Sequence, residues 1–176
     1  MQRGHRESVD IDLFTDAEYD SVNFEAIDKF LRNTYPYVET NNYKVIGMGK
    51  PYFVGKNKLE SIKLDVFYTE KFIQRLIQTD GIRLASVEEI IAMKLDVISR
   101  GGRKKDFWDI HELIKEYSLN AMLSLHEQRY PYSHNAKEIK KQFINFANAD
   151  EDNDPICLRK KIWEVIKLEI IDFVKR

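Results

Sequence analysis

Two aspartates near the start of the chain are the first residues whose spacing suggests chemistry. Asp10 and Asp12 lie in the stretch RESVDIDLFTD, where acidic and apolar residues alternate. This alternation predicts a β-strand in which both carboxylates project from one face. Val9, Ile11 and Leu13 should then point the other way, toward a core. Neighbouring like charges are stable in solvent, as on an exposed edge strand, or around a bound cation, and the pattern alone is compatible with both.

A third aspartate, Asp65, lies in the middle of a second predicted strand. It belongs to the stretch LESIKLDVFYT, where apolar residues alternate with polar ones. An unpaired carboxylate at a half-buried position is costly, so Asp65 should have either a salt bridge, to a lysine such as Lys63 or Lys44, or a metal ion. Carboxylates on neighbouring strands can hold two Mg²⁺ or Mn²⁺ ions that stabilise the attacking and leaving oxygens of phosphoryl transfer.

A second polar group lies in the stretch KLDVISRGGRKKDFWDIHEL. It combines Lys94, the basic residues 103–105 and the acids Asp106 and Asp109. A basic turn beside an acidic metal site could receive a triphosphate or a nucleic-acid backbone. Ordinary helix capping is the alternative, because cations favour helix C-termini and acids favour N-termini, which accounts for Arg100 and Asp106.

The elements that must position these residues come in the order strands first, helices afterward, which predicts an α+β fold. A helix over 21–35 follows the first strand, and Pro36 ends it. Strands are predicted at 43–49, 51–55 and 59–69. The chain turns helical from Ile82, and its predicted helices cover 86–100, 104–117, 119–130, 135–147 and 155–176. The acidic segment 148–155 is predicted to be a mobile linker. Residues 1–84 are predicted to form an α/β core and 85–176 a helical region.

Composition limits the classes of function. The 28 basic residues nearly balance the 29 acidic ones, so net charge gives no argument for nucleic-acid or membrane attraction. A single cysteine, Cys157, excludes an intramolecular disulfide and a multi-cysteine zinc site, and predicts a free buried thiol. His111 has no second histidine at metal-binding spacing, so it is interpreted as a satisfied or surface side chain. No apolar run approaches the roughly 18 residues of a membrane span, so we predict a cytoplasmic protein without membrane contact.

The stretch GHRESVDIDLF, taken with LASVEEIIAMKLDVISRGGRKKDFWDIHELI, resembles the AbiEii/AbiGii toxin family. These are nucleotidyltransferases of the polymerase-β-like superfamily that are associated with abortive infection and toxin–antitoxin systems. The resemblance runs from the first residues to about Tyr117. It implies a polymerase-β-like mixed sheet with helices and a C-terminal helical bundle. It also implies transfer of a nucleoside monophosphate from an NTP to a tRNA, another RNA or a protein, and a cognate antitoxin as partner.

The same resemblance implies roles for individual residues. Asp10, Asp12 and Asp65 would be catalytic residues that bind Mg²⁺ or Mn²⁺. Catalytic positions are also implied for Lys94 and Asp109. Nucleotide-binding positions are implied for Arg6, Ser8, Lys105 and Asp106.

The chain departs from this family in one respect. The family has a Gly-Gly-Thr or Gly-Ser segment just before the first acidic strand, where backbone amides bind the triphosphate. Gly4 alone cannot replace that segment, and Gly101-Gly102 is typical of a helix end. We therefore expect an N-terminally shortened form with an exposed apolar face or sheet edge, or a reduced lineage that binds without catalysing. A degenerate nucleotide- or partner-binding module is the alternative function, and a phosphohydrolase or nuclease using the same acids is the third.

Overall fold

The structure is a computed structural model, and it describes residues 3–8, 10–41 and 48–176. It has the predicted α+β class. Two compact units are present. One is Ser8–Lys71, and the other combines the N-terminal residues up to Glu7 with Phe72–Arg176. The division of the chain after residue 84 stays a prediction.

A four-stranded mixed sheet forms the unit Ser8–Lys71. Its strands are β1 (Asp10–Thr15), β2 (Tyr37–Thr40), β3 (Gly49–Gly55) and β4 (Ser61–Tyr68). The spatial order is β1-β4-β3-β2, with β1 parallel to β4 and the other pairs antiparallel. The predicted strands at 51–55 and 59–69 are confirmed, β2 was missed, and most of the strand predicted at 43–49 lies outside the described residues.

One helix, α1 (Phe24–Thr34), covers the apolar face of this sheet. The side chain of Asn23 caps its start by accepting a hydrogen bond from the Ala26 amide at 2.9 Å. The helix ends just before Pro36, as the sequence predicts. Leu31 is its buried residue, and it packs in one cluster with Tyr52, Val54 and Val66.

The apolar side of β1 is only partly covered. Register pairs Ile11 with Leu64 and Leu13 with Val66, so these residues share the sheet face that α1 covers. Yet Ile11 is 47% exposed and Leu13 is 49% exposed. The prediction that they face a core is wrong, because α1 packs against the β2–β4 part of the sheet and β1 lies at the edge. Val9 lies outside the described residues.

A short hairpin opens the main part of the other unit. Strands β5 (Ile77–Thr79) and β6 (Ile82–Leu84) are antiparallel. Asp80 and Gly81 join them, both with positive φ, at 48° and 77°, which is the geometry of a type I′ turn. The prediction of helical structure from Ile82 is therefore wrong for β6, although Asp-Gly was a readable hairpin signal.

Helices make up the remainder of this unit. They are α2 (Val87–Ser99), α3 (Lys104–His111), α4 (Leu119–Arg129), α5 (Ala136–Phe143), α6 (Ala147–Asp150) and α7 (Trp163–Lys175). Ser86 caps α2 by accepting from the Glu89 amide at 3.1 Å. Gly101 follows the helix with φ 97°, so both predicted boundary signals are confirmed. In the described ranges no helix is long and apolar enough to cross a bilayer.

The last helix starts later than predicted. It begins at Trp163 rather than at residue 155, because the segment before it pairs with the N-terminal residues instead. The Glu7 amide donates to the Ile156 carbonyl at 2.9 Å, and the Leu158 amide donates to the His5 carbonyl at 2.9 Å. Backbone groups committed to this bridge cannot also form helical hydrogen bonds.

The acidic segment 148–155 is not a free linker, which corrects the prediction. The Trp163 indole donates to Asp150 at 2.6 Å. The Lys104 amide donates to Asp152 and its ammonium donates to Asp154, both at 2.9 Å. Each of these carboxylates therefore has a specific donor, and the segment packs against α3 and α7.

Replacing Asp150 by alanine tests this correction. The change removes the acceptor of the Trp163 indole and of the Lys167 ammonium, which lies 2.9 Å from it. We expect the free energy of unfolding in urea to fall by about 1 kcal/mol, the usual net value of such a hydrogen bond. Glu151→Ala, at the exposed next residue, is the matched control. Equal effects of the two changes would contradict the anchoring role.

Candidate functional site

Three acids and one lysine share the polar face of β1 and β4. Register pairs Asp12 with Asp65 and Asp10 with Lys63 across these parallel strands. Paired residues of adjacent strands project from the same sheet face, about 5 Å apart in backbone position. The four side chains therefore project from the face opposite α1. The alternation along β1 predicted that Asp10 and Asp12 share a face.

Asp65 is the buried member of this group. It is 6% exposed, and its Oδ2 accepts a hydrogen bond from the Lys63 ammonium. Its Oδ1 is buried and has no hydrogen-bond partner among the described residues. Lys63 is thus the salt-bridge partner that the sequence offered as one alternative, whereas Lys44 lies outside the described residues. A carboxylate oxygen buried without a partner is costly, so Oδ1 is suited to one further electropositive ligand.

An open depression of about 420 Å³ lies on the same face. It is lined by Asp10, Tyr37, Glu39, Phe53, Lys58, Ser61 and Lys63. Carboxylates, hydroxyls and ammonium groups therefore border one concave surface. Asp10 and Lys63 belong both to this depression and to the acidic group, so a molecule bound in the depression would lie next to the acids.

The oxygen donors of Asp10, Asp12 and Asp65 are of the kind that Mg²⁺ and Mn²⁺ prefer. The partnerless Oδ1 of Asp65 fits a ligand role. In the part of the chain that the structure describes, however, no three histidine, cysteine, aspartate or glutamate side chains are already grouped to hold a metal ion. The three carboxylates are chemically suited to a divalent cation. One of their oxygens, Oδ2 of Asp65, already accepts a hydrogen bond from Lys63.

The second group of predicted residues lies in the other compact unit, around Asp109 of α3. Arg6 donates to both carboxylate oxygens, at 2.7 and 2.9 Å. His5 Nε2 lies 2.9 Å from Oδ1, and the Lys94 ammonium lies 2.9 Å from Oδ2. Burial by itself would raise the pKa of Asp109, but the hydrogen bonds from His5 and Arg6 and the charge of Lys94 hold this pKa well below its usual value.

Asp106 combines helix capping with an ion pair. It is 1% exposed, and it accepts from the Lys94 ammonium at 2.6 Å and from the Arg103 amide at 3.0 Å. Burial would lower the pKa of Lys94, yet the charges of Asp109 and Asp106 outweigh it and raise this pKa above its ordinary value. The capping alternative thus accounts for the position of Asp106, and nucleotide binding by Asp106 stays a prediction.

Three further residues considered in the sequence are Ser8, Lys105 and His111, and each contacts its own local neighbours. The Ser8 hydroxyl donates to the Asp10 carbonyl at 3.1 Å, directly before β1. Lys105 is half-buried on α3, where its neighbour Lys104 is the residue that pairs with the acidic segment. His111 is 2% exposed and hydrogen-bonds Glu169, so its interpretation as a satisfied side chain is confirmed.

His5 is the site residue that sequence reasoning missed. It is 3% exposed and contacts Asp109 from a position 104 residues away. Its place directly beside Arg6 was the only signal in the sequence. The structure therefore brings Asp10, Asp12 and Asp65 together in one unit. In the other unit it brings together His5, Arg6, Lys94, Asp106 and Asp109.

The chain is similar to known proteins in both sequence and structure. The family described as "Nucleotidyl transferase AbiEii toxin, Type IV TA system" matches residues 1–172. In structure the chain is similar to JHP933 from Helicobacter pylori, with a TM-score of 0.56, 18% identity, and 98% of this chain and 76% of that chain covered. A second solved structure, of an H. pylori protein described as a "putative nucleotidyltransferase", gives a TM-score of 0.56, 19% identity and coverages of 98% and 79%. No curated protein matches the chain.

Proposed function

Because this chain belongs to the AbiEii family of nucleotidyl transferase toxins of type IV toxin–antitoxin systems, we propose that it transfers a nucleoside monophosphate from an NTP to an RNA or protein hydroxyl. In that reaction the oxygen of the acceptor hydroxyl attacks the α-phosphorus and loses its proton to solvent. The bond between the α-phosphorus and the oxygen that joins it to the β-phosphorus breaks, and pyrophosphate leaves. One observation carries the proposal: Asp12 pairs in register with Asp65 on adjacent strands, and Oδ1 of Asp65 is buried without a hydrogen-bond partner among the residues that the structure describes.

The acidic face supplies the ligands in this proposal. Asp10, Asp12 and Asp65 would hold Mg²⁺ or Mn²⁺, which when bound would neutralise phosphate charge and make the acceptor hydroxyl more acidic. Two hydrogen-bonded strands fix the backbone of all three acids. Such preorganisation means that little reordering is needed when charge develops in the transition state. The adjacent depression offers space for the nucleotide or the acceptor.

The cluster around Asp109 anchors the N-terminal residues of its own unit. The charges of Arg6 and Lys94 are matched by Asp109 and Asp106 within the same unit. These contacts hold His5 and Arg6 in place within that unit. Direct contact with a phosphate stays a prediction for the residues that the resemblance assigns to catalysis or nucleotide binding outside the acidic face. Such a contact would add to the contacts described above. These residues are Arg6, Ser8, Lys94, Lys105, Asp106 and Asp109.

The family membership also supports a cognate antitoxin as the counterpart of this chain. We propose that such an antitoxin counteracts the transferase in the cell. Co-expression with a candidate antitoxin should restore growth to cells that express the chain. Rescue that is equally strong with an unrelated protein would contradict this pairing.

The transferase proposal is tested by supplying each α-³²P-labelled NTP with Mg²⁺ and either a tRNA pool or a protein mixture. We expect label on one acceptor class, release of pyrophosphate, and loss of both when EDTA replaces Mg²⁺. Failure to transfer label from all four NTPs to either class would contradict the proposal. Release of labelled NMP or NDP without transfer would instead indicate a phosphohydrolase, and cleavage of the tRNA without transfer would indicate a nuclease.

A degenerate binding module is the second candidate function. The observation that favours it is that Lys63 already pairs with Asp65, while the described residues hold no ready three-ligand metal group. A calorimetric titration with GTP or ATP distinguishes the transferase from the binding module. Binding that needs neither Mg²⁺ nor Asp12, together with no transfer, would favour the binding module.

A further inference from the structure

The acidic face of β1 and β4 contains a positive charge of its own. Lys63 is two residues before Asp65 on the same strand, and its register partner on β1 is Asp10. Its ammonium bonds Asp65 Oδ2. Three carboxylates and one ammonium therefore share a small area of one sheet face, which leaves a formal charge of −2 before any ligand binds.

This ammonium and a divalent cation compete for the same carboxylate. Asp65 is 6% exposed, so water cannot easily take the place of a lost partner, and like charges near a buried carboxylate repel strongly. A cation that approached Oδ1 while the ammonium stayed on Oδ2 would face this repulsion directly. Binding of the cation is therefore easier when Lys63 withdraws.

The side chain of Lys63 has space in which to move away from Asp65. It is 40% exposed, and it lines the open depression beside Asp10. The lysine side chain is a flexible four-carbon stem that carries a compact ammonium charge, so Lys63 can change its partner without a backbone movement. A phosphate oxygen of a bound nucleotide is a strong acceptor for such an ammonium.

We propose that Lys63 is an exchangeable counter-ion of the acidic face: it neutralises Asp65 before substrate arrives, leaves Asp65 to the divalent cation, and then contacts a phosphate of the NTP. This role rests on the proposed function. It makes binding of the cation and of the nucleotide mutually dependent, because the phosphate gives Lys63 a new partner when the cation displaces it. The cation alone binds weakly, and the cation with nucleotide binds well.

Manganese binding measured by electron paramagnetic resonance tests this role without relying on activity. The titrations use the full chain, with and without a non-hydrolysable NTP analogue. Lys63→Gln removes the charge but keeps a side chain of similar length. We expect this variant to bind Mn²⁺ alone about tenfold more tightly than the unaltered protein, the effect of removing one nearby like charge at a partly exposed site. We also expect the analogue to improve its Mn²⁺ affinity less.

Two matched variants serve as controls. Lys63→Arg keeps the charge, and Lys56→Gln removes a charge from the nearby turn, where Lys56 is 83% exposed and faces Glu60. Both should bind Mn²⁺ as the unaltered protein does. Thermal melting reports whether each variant is folded. If Lys63→Gln does not fold, Lys63→Met, which also removes the charge from this partly exposed position, takes its place with the same expected result.

Asp12→Asn separates the two possible failures. Mn²⁺ binding that requires Asp12 but is unchanged or weaker in Lys63→Gln would overturn the role of Lys63 and leave the proposed function in place. Absence of nucleotide-linked Mn²⁺ affinity in the unaltered protein would also overturn that role. If no variant shows Asp12-dependent Mn²⁺ binding, the metal site fails and the role of Lys63 fails with it.

Discussion

Asp12→Asn is expected to lower the rate of nucleotide transfer by about a thousandfold while leaving the fold intact. The change removes a negative charge at the position opposite Asp65, where the proposed cation needs an anionic oxygen. The loss of one preorganised electrostatic contact to a transition state costs two to three orders of magnitude in rate. Asp12 is exposed, so the free energy of unfolding should change by less than about 0.5 kcal/mol.

The measurement is the rate of label transfer at saturating NTP, alongside urea unfolding of the same preparation. Asp16→Asn is the matched control, since Asp16 is an exposed acid directly after the end of β1. We expect that control to retain full activity. Similar rates for the unaltered protein and Asp12→Asn would show that the acidic face does not carry the reaction.

Asp109→Asn should have the largest effect on stability, a loss of about 3–5 kcal/mol, as is typical when one partner of a buried ion pair is removed. The side chain is 6% exposed and serves as acceptor for His5, Arg6 and Lys94. An amide cannot balance the charges of Arg6 and Lys94, and its nitrogen adds a donor where only donors face it. Urea unfolding of the full chain measures the change.

Glu116→Gln is the control for that experiment. It breaks the ion pair with Arg3, whose partners are 34% and 47% exposed, and exposed pairs contribute less than about 1 kcal/mol. The two variants thus compare a buried pair with an exposed one in the same unit. Equal losses of stability would contradict the assignment of Asp109 as an anchor of the N-terminal segment.

The effect of Asp109→Asn should also depend on pH. The pKa of Asp109 is lowered in the folded protein, so the folded state holds the ionised form to lower pH than the unfolded chain does. Its contribution to stability is therefore complete above the unfolded pKa, about 3.9, and is lost as the pH falls through the folded value. The stability difference between the two proteins should narrow from pH 7 to pH 3. A stability difference that does not change with pH would show that Asp109→Asn destabilises the protein through lost packing rather than through lost charge.

Local signals in the sequence predicted the parts of the fold that depend on near neighbours. Ser86 and Gly101 mark the ends of α2 because a hydroxyl cap and a positive φ are requirements of single positions. The alternation around Asp10 and Asp65 predicted that the acids of each strand share a face. The parallel pairing of β1 with β4 places these two faces side by side.

The parts that were not predicted depend on distant partners. Residues 156–158 are extended because they pair with 5–7, and no local pattern indicates a partner some 150 residues away. The exposure of Ile11 and Leu13 depends on where α1 packs. Likewise, the role of Asp109 could be named only by resemblance, because its partners lie 103 and 104 residues earlier in the chain.

The bridge between residues 5–7 and 156–158 has a consequence for the order of synthesis. A ribosome makes the chain in the N-to-C direction, so β1 emerges long before Ile156 and Leu158. His5 and Arg6 can contact Asp109 only after a further 104 and 103 residues are made, and the backbone partners of this segment come later still. The residues that precede the acidic strand are therefore held in place only well after that strand has been made. A ribosome that stalls before Ile156 would leave a nascent chain in which this anchor is incomplete.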